Sequence, residues 1–228
     1  MNSEYVKELF GAIAPRYALA NHLLSLGMDF WWRHCVAQQV QQWAPRHLLD
    51  VATGNGDLAA AIKKMAPTIQ ITGTDFCPEM LSLAQGKNID CLVEADALNL
   101  PFEDASFDVV TVAFGLRNMA SWEGALQEMH RVLRKEGHLL ILDFSLPSSP
   151  LLRPFYRFYL HHILPRLAGW LTGKADAYEY MGQSIESFPS GNALCTLLEQ
   201  CGFEQTNTKP LTAGIVSVYT ASQFSGKN

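Results

Sequence analysis

Apolar runs with a period of two alternate along this chain with apolar stripes at helical spacing. Leu48–Val51, Ile69–Thr74, Ile89–Glu94, Phe107–Ala113 and His138–Phe144 read as strands. Phe107–Ala113 is apolar almost throughout, as expected of a strand covered on both sheet faces. Leu58, Ala61, Ile62 and Met65 form one helical stripe. Trp122, Leu126, Met129 and Leu133 form another, with Ser121 as its predicted N-cap and Gly137 as its predicted end. Ser190 is expected to cap a further helix carrying Leu194, Leu197, Leu198 and Cys201, closed by Gly202. Two strands follow, around Glu204–Lys209 and Ile215–Ala221. Strands alternating with helices in this way predict an α/β fold, a mostly parallel sheet with a ligand crevice beyond the carboxyl ends of its strands.

Two segments break the rhythm. Residues 1–45 look helical and aromatic-rich, with Tyr5, Phe10, Tyr17, Phe30, Trp31, Trp32 and Trp43. Residues 146–189 stand where a short link is expected, and long connections inside compact domains are usually functional. We therefore expect one domain: a helical cap over 1–45, a core over 46–145, a helical lid over 146–189, and a closing helix and strands over 190–228.

Candidate chemistry clusters at strand ends. The first strand runs through Asp50 into Thr53-Gly54-Asn55-Gly56-Asp57, a tight Gly-x-Gly turn opening a helix, and Asp75 follows 19 residues after Gly56 at the tip of the second strand. Glycines let a ligand approach the backbone, and an acid there can take both hydroxyls of a ribose. Ala59 in the third glycine position is compatible with the hydride-cofactor fingerprint, so a nicotinamide nucleotide is one reading. Asp50, before the turn, can brace the loop and meet the amino-acid end of a ligand. With Asp96 after the third strand, the spacing places three acids near strand ends, although each acid alone also serves as a helix cap or turn residue.

Composition narrows the class. At 228 residues, 48% hydrophobic and 17% charged, the chain can bury a full core, and it is not a disordered chain. A net charge of -5 argues against a nucleic-acid partner, which needs a basic footprint. Five cysteines, with no Cys-x-x-Cys pair, point to reduced thiols in a cytoplasmic protein and to no metal site. No signal peptide is visible at residues 1–10, and no apolar run approaches the roughly 20 residues needed to cross a bilayer.

Four blocks then carry a likeness that runs nearly end to end: Tyr17–Gly27 leading to Trp32; Ala113-Phe114-Gly115-Leu116-Arg117-Asn118 with Leu142-Asp143-Phe144-Ser145; His162–Arg166 with Ala175–Tyr180 and Ser184-Ile185; and Leu211-Thr212-Ala213-Gly214-Ile215-Val216. The chain resembles the ubiquinone/menaquinone biosynthesis C-methyltransferases. That resemblance implies a class I S-adenosylmethionine-dependent methyltransferase fold, Rossmann-like with seven strands. It also implies cofactor contacts at Asp50, Gly54, Asn55, Gly56, Asp75, Asp96, Ala97 and Ala113. The reaction implied is C-methylation of a prenylated quinol, demethylmenaquinol in the first place, with the benzoquinol of ubiquinone synthesis as the alternative. Ala18 and Asp29 stand where the family usually has Asp and His, which also keeps open a non-catalytic cofactor-binding scaffold of a quinone-synthesis complex.

In such a reaction, ionising a quinol hydroxyl pushes charge onto the ring carbon, which must sit about 3–3.5 Å from the methyl and in line with it. The resemblance assigns Arg117 to stabilising the quinolate oxygen and Asn118 to orienting the hydroxyl or a water. His162, Tyr17, Asn21, Tyr178 and Tyr180 are weaker candidates. Arg153, Arg157 and His161 recur at four-residue spacing beside Phe155, Phe158 and Tyr159, a pattern suited to peripheral contact with an anionic membrane surface. A homodimer is also left open.

Overall fold

The computed structural model describes residues 11, 22, 24–173 and 175–223. In chain order the elements are α1 (Met28–Trp43), β1 (His47–Val51), α2 (Asp57–Met65), β2 (Gln70–Asp75), α3 (Pro78–Ala84), β3 (Cys91–Glu94) and β4 (Phe107–Ala113). A short 3₁₀ turn (Leu116–Asn118), α4 (Trp122–Val132) and β5 (Leu133–Phe144) follow. Then come α5 (Leu152–Phe158), a π turn (Tyr159–Ile163), α6 (Leu164–Thr172), α7 (Ala175–Ser187), α8 (Asn192–Gln200), β6 (Phe203–Leu211) and β7 (Val216–Gln223).

The seven strands form one sheet in the order β3-β2-β1-β4-β5-β7-β6. β7 runs antiparallel to both its neighbours, and the other pairings are parallel. The chain winds outward from β1 to β3, then returns to the other side of β1 with β4. That reversal opens a crevice at the carboxyl ends of β1 and β4.

Alternation along the strands sorts side chains onto two faces. Leu48, Ile71, Val109, Leu140 and Leu142 pack with Trp32, Val36 and Val40 of α1 and Leu58 and Ile62 of α2. Leu49, Val51, Val110, Val112, Leu139 and Ile141 pack on the other face with Leu126 and Met129 of α4 and Leu194 and Leu198 of α8. Fully burying each Leu, Ile or Val contributes about 1.5–3 kcal/mol, so register is strongly specified: a one-residue slip in β1 would exchange the two sets.

Two predicted boundaries are corrected. Ser121 does cap α4, its Oγ accepting from the Gly124 N–H at 3.0 Å. The helix, however, ends at Val132, not at Gly137, and Leu133 already pairs with Phe107 in the sheet. The next pairing, Val109 with His138, leaves residues 134–137 as a bulge. Gly137 is required there by close backbone approach: a Cβ would lie 2.7 Å from the Arg134 carbonyl oxygen and 3.0 Å from that of Asp108. The N-cap of α8 is Gly191, not Ser190, and the Gly191 N–H donates to the Tyr219 hydroxyl at 2.8 Å.

Candidate active site

The loop after β1 departs from ordinary backbone within two residues. Ala52, Gly54 and Gly56 all have positive φ, at 51°, 57° and 78°. For alanine this costs roughly 1–2 kcal/mol, and such strain concentrates at functional sites. Gly56 is held tightly as well, since a Cβ there would meet Ile89 at 2.7 Å. The loop from β4 answers in kind, with Phe114 at φ 57°. Gly115 lets the two loops close on each other, because its Cβ would stand 2.6 Å from that of Ala52.

Two carboxylates brace this turn. Asp50 is paired in register with Thr111 across the β1–β4 seam, and its oxygens accept from the hydroxyls of Thr111 and Thr53, each at 2.6 Å. Burial nevertheless pushes its pKa up to about 6, the two hydroxyls offsetting only part of the penalty. Asp75 accepts from the Gly54 N–H at 2.8 Å and the Cys77 N–H at 3.0 Å, and burial raises its pKa despite those bonds. Asn55 donates to Asp57 at 3.0 Å.

Asp50, Gly54, Asn55, Asp75, Ala113 and Asn118 all line the crevice at the β1–β4 reversal. Three of the residues expected there do not. Gly56 stands behind the crevice as the N-cap of α2. Asp96 is exposed; it accepts from the Leu98 N–H at 2.9 Å and forms an isolated bridge with Asn99, so it stabilises its own turn. Ala97 packs against the core cluster on the far face of the sheet.

A second cavity of about 410 Å³ abuts the first. Its wall is largely apolar and aromatic, with Trp32, Phe144, Tyr156, Tyr159, Leu164 and Ile215. Tyr178 and Tyr180 line it too, whereas His162 is exposed and lines neither cavity. Phe114, Asn118 and Arg33 line both cavities, so these three residues mark the seam. Tyr17, Ala18 and Asn21 lie outside the described residues.

Arg117 lines the larger cavity but is not the unpaired cation that its assignment assumes. The residue is 4% exposed, and its guanidinium donates to the buried Asp143 at 2.8 Å and to the Phe114 carbonyl, and lies 5.2 Å over the Phe144 ring. Burial raises the Asp143 pKa, and the Arg117 charge acts against that shift. Truncating one partner of such a buried pair costs about 3–5 kcal/mol, which makes Arg117 structural as well as cavity-lining. Asn118 donates to the Phe114 carbonyl oxygen at 3.3 Å, tying down the same turn.

Three features escaped the strand-end reading. Asp29 is not an isolated departure: it accepts from Ser25 at 2.7 Å and from Arg33, and meets His22 Nδ1 at 2.6 Å. Burial opposes its ionisation, but Ser25, Arg33 and His22 together hold its carboxyl below the usual range. Arg33 itself and the bond from the Trp32 indole N–H to the Thr212 hydroxyl (2.8 Å) are the others. Asp29 and Arg33 stand at i and i+4 on an apolar helix, and that spacing was the available signal.

The whole chain up to residue 223 matches the model of the ubiE/COQ5 methyltransferase family. The chain belongs to this family. A demethylmenaquinone methyltransferase of Deinococcus radiodurans is 43% identical over 96% of this chain and 92% of its own length. One from Thermus thermophilus is 41% identical, covering 94% of this chain and all of its own, at 100%. A ubiquinone/menaquinone biosynthesis C-methyltransferase of Citrifermentans bemidjiense is 39% identical over 96% and 97% of the two chains. Among solved structures, a Thermotoga maritima S-adenosylmethionine-dependent methyltransferase superposes with a TM-score of 0.67 over 95% of this chain and 98% of its own. At 18% identity that likeness concerns the fold; it agrees with the α/β parallel sheet read from the strand pattern and with the class I methyltransferase architecture that the resemblance implied.

Proposed function

We propose that this methyltransferase uses S-adenosylmethionine to C-methylate a prenylated quinol, with demethylmenaquinol as its substrate. The observation that carries the reading is the pair of abutting cavities, one acid-lined and one apolar, with Arg33, Phe114 and Asn118 common to both walls.

The donor set of the smaller crevice fits the cofactor. Asp75, oriented by two backbone N–H groups, keeps lone pairs for ribose hydroxyls. Leu58, Phe76 and Met80 supply apolar contact for a purine, and the carboxylates suit a ligand carrying two positive charges. Bound there, S-adenosylmethionine supplies an electrophilic methyl group on a cationic sulfur. The remaining work belongs to the chain. Arg33, Phe114 and Asn118 border the seam where the two cavities abut and the ring carbon can face the methyl, and the aromatic wall excludes water from the quinol ring. Asn118 orients the reacting hydroxyl, and Arg117, its charge balanced by Asp143, acts on the quinolate oxygen as a positioned hydrogen-bond donor and not as a free cation.

Demethylmenaquinol is favoured over the benzoquinol by the names of two relatives that are 43% and 41% identical. The test is mass-detected methyl transfer to short-chain demethylmenaquinol and to the benzoquinol, side by side. Faster turnover of the naphthoquinol is expected; preference for the benzoquinol would reassign the substrate, and transfer to neither would remove the reading. We infer in addition that the outward face of the helices roofing the larger cavity rests on an anionic bilayer, where a prenyl chain resides.

A further inference from the structure

The smaller crevice has an imbalance of charge. It is lined by three carboxylates, Asp50, Asp57 and Asp75, and by one cation, Arg33. S-adenosylmethionine carries a sulfonium, an ammonium and a carboxylate; the acids match the first two, and only Arg33 matches the third. Lys87, the other cation nearby, is held by Asp57 at 2.5 Å and does not line the crevice.

Arg33 does not come from the nucleotide-binding sheet. It projects from α1, is 8% exposed, and is anchored through Nη1 to Asp29, which Ser25 and His22 hold in turn. Its Nη2 stands 3.6 Å from Asp57, within reach of its charge but beyond a hydrogen bond. The guanidinium is thus fixed along one edge and uncommitted along the other, and planar recognition of a carboxylate is what this group does best.

We propose that Arg33 binds the carboxylate of the cofactor's amino-acid moiety, and that Asp29 sets its position. Ser25, Asp29 and Arg33 also line the quinol cavity, so the clamp that grips the cofactor is part of the wall that meets the substrate. The inference rests on the cofactor assignment above and deepens it.

Calorimetry with two ligands separates the possibilities. S-adenosylhomocysteine keeps the carboxylate, whereas 5′-methylthioadenosine lacks the amino-acid moiety. Arg33→Gln is expected to weaken S-adenosylhomocysteine roughly 10- to 100-fold, the range for a hydrogen bond to a charged group, while methylthioadenosine binds as before. Arg33→Lys restores part of the loss, and Asp29→Asn weakens S-adenosylhomocysteine selectively but by less. Equal weakening of both ligands by Arg33→Gln would make Arg33 merely structural and overturn the inference, as would no change in either. If the unaltered protein binds neither ligand, the cofactor assignment itself fails.

Discussion

Asp50 shows how a single residue can record its surroundings in the pH dependence of the whole molecule. Between two hydroxyls in mid-sheet, its carboxyl titrates near 6 in the folded state, against an ordinary 3.8. Between those values the folded chain holds a proton that the unfolded chain has released. Its contribution is therefore fully present below about pH 4 and is lost as pH rises through about 6. A shift of this size amounts to on the order of 3 kcal/mol. Asp29, Asp57 and Asp108 have lowered pKa values and slope the opposite way, with losses at acid pH, but they are common to the protein and its variant. Asp50→Asn keeps one acceptor and removes the proton. Urea unfolding is expected to show the variant gaining on the parent by about 2–3 kcal/mol between pH ~4 and pH ~7. A stability difference independent of pH would mean that Asp50 does not titrate in the fold.

At the scale of elements, what matters is how α1 is joined to the sheet. Trp32 is buried, its N–H bonds to Thr212 on the loop between β6 and β7, and its ring lies 6.1 Å from Phe114 and 6.2 Å from Phe144. It lines the apolar cavity and not the cofactor crevice. Trp32→Phe keeps most of the packing and removes the donor, at a cost of about 1 kcal/mol. We expect the quinol KM to rise several-fold while S-adenosylhomocysteine affinity, measured by calorimetry, stays close to the parent's. An equal loss in both would mean that α1 shapes the two cavities as one unit. The same junction marks the boundary of what was legible in the chain. Asp50, Gly54 and Asp75 were readable because turn, strand and acid lie close together in sequence. For Arg33 only the i,i+4 spacing to Asp29 was visible, because Asp57 and the crevice reach it only through tertiary packing. The end of α4 was misjudged for a related reason: Leu133 fits a helical stripe, but its partner Phe107, 26 residues earlier, draws it into the sheet.

Across the whole molecule, charge and apolar surface are distributed unevenly. The chain carries -5 overall, yet between Asp143 and Asp176 it has no acid, and it holds Arg153, Arg157, Arg166 and Lys174. α5, the π turn and α6 form a continuous helical stretch from 152 to 172, about 30 Å long at 1.5 Å per residue. Tyr156, Leu160, Leu164 and Ala168 face inward at four-residue intervals. Phe155, Phe158, Leu167 and Trp170 nevertheless remain 75%, 56%, 49% and 85% exposed. A helix apolar on both sides needs a second partner, and exposed patches of this kind mark interaction surfaces. The basic stripe is weaker than its spacing implied, since Arg157 and His161 both pair with Glu186 at 3.0 and 3.1 Å. Arg153 and Arg166 bond only to backbone carbonyls among the described residues, and so keep their charge for an anionic surface. Co-sedimentation with vesicles of phosphatidylglycerol and phosphatidylcholine is therefore expected, weakening with salt and with pure phosphatidylcholine. Phe155→Ser with Trp170→Ser should abolish it, and Arg153→Gln with Arg166→Gln should remove the preference for anionic lipid. If the protein ignores vesicles and instead sediments as a dimer that Trp170→Ser dissociates, a second copy of the chain, not a bilayer, covers this face.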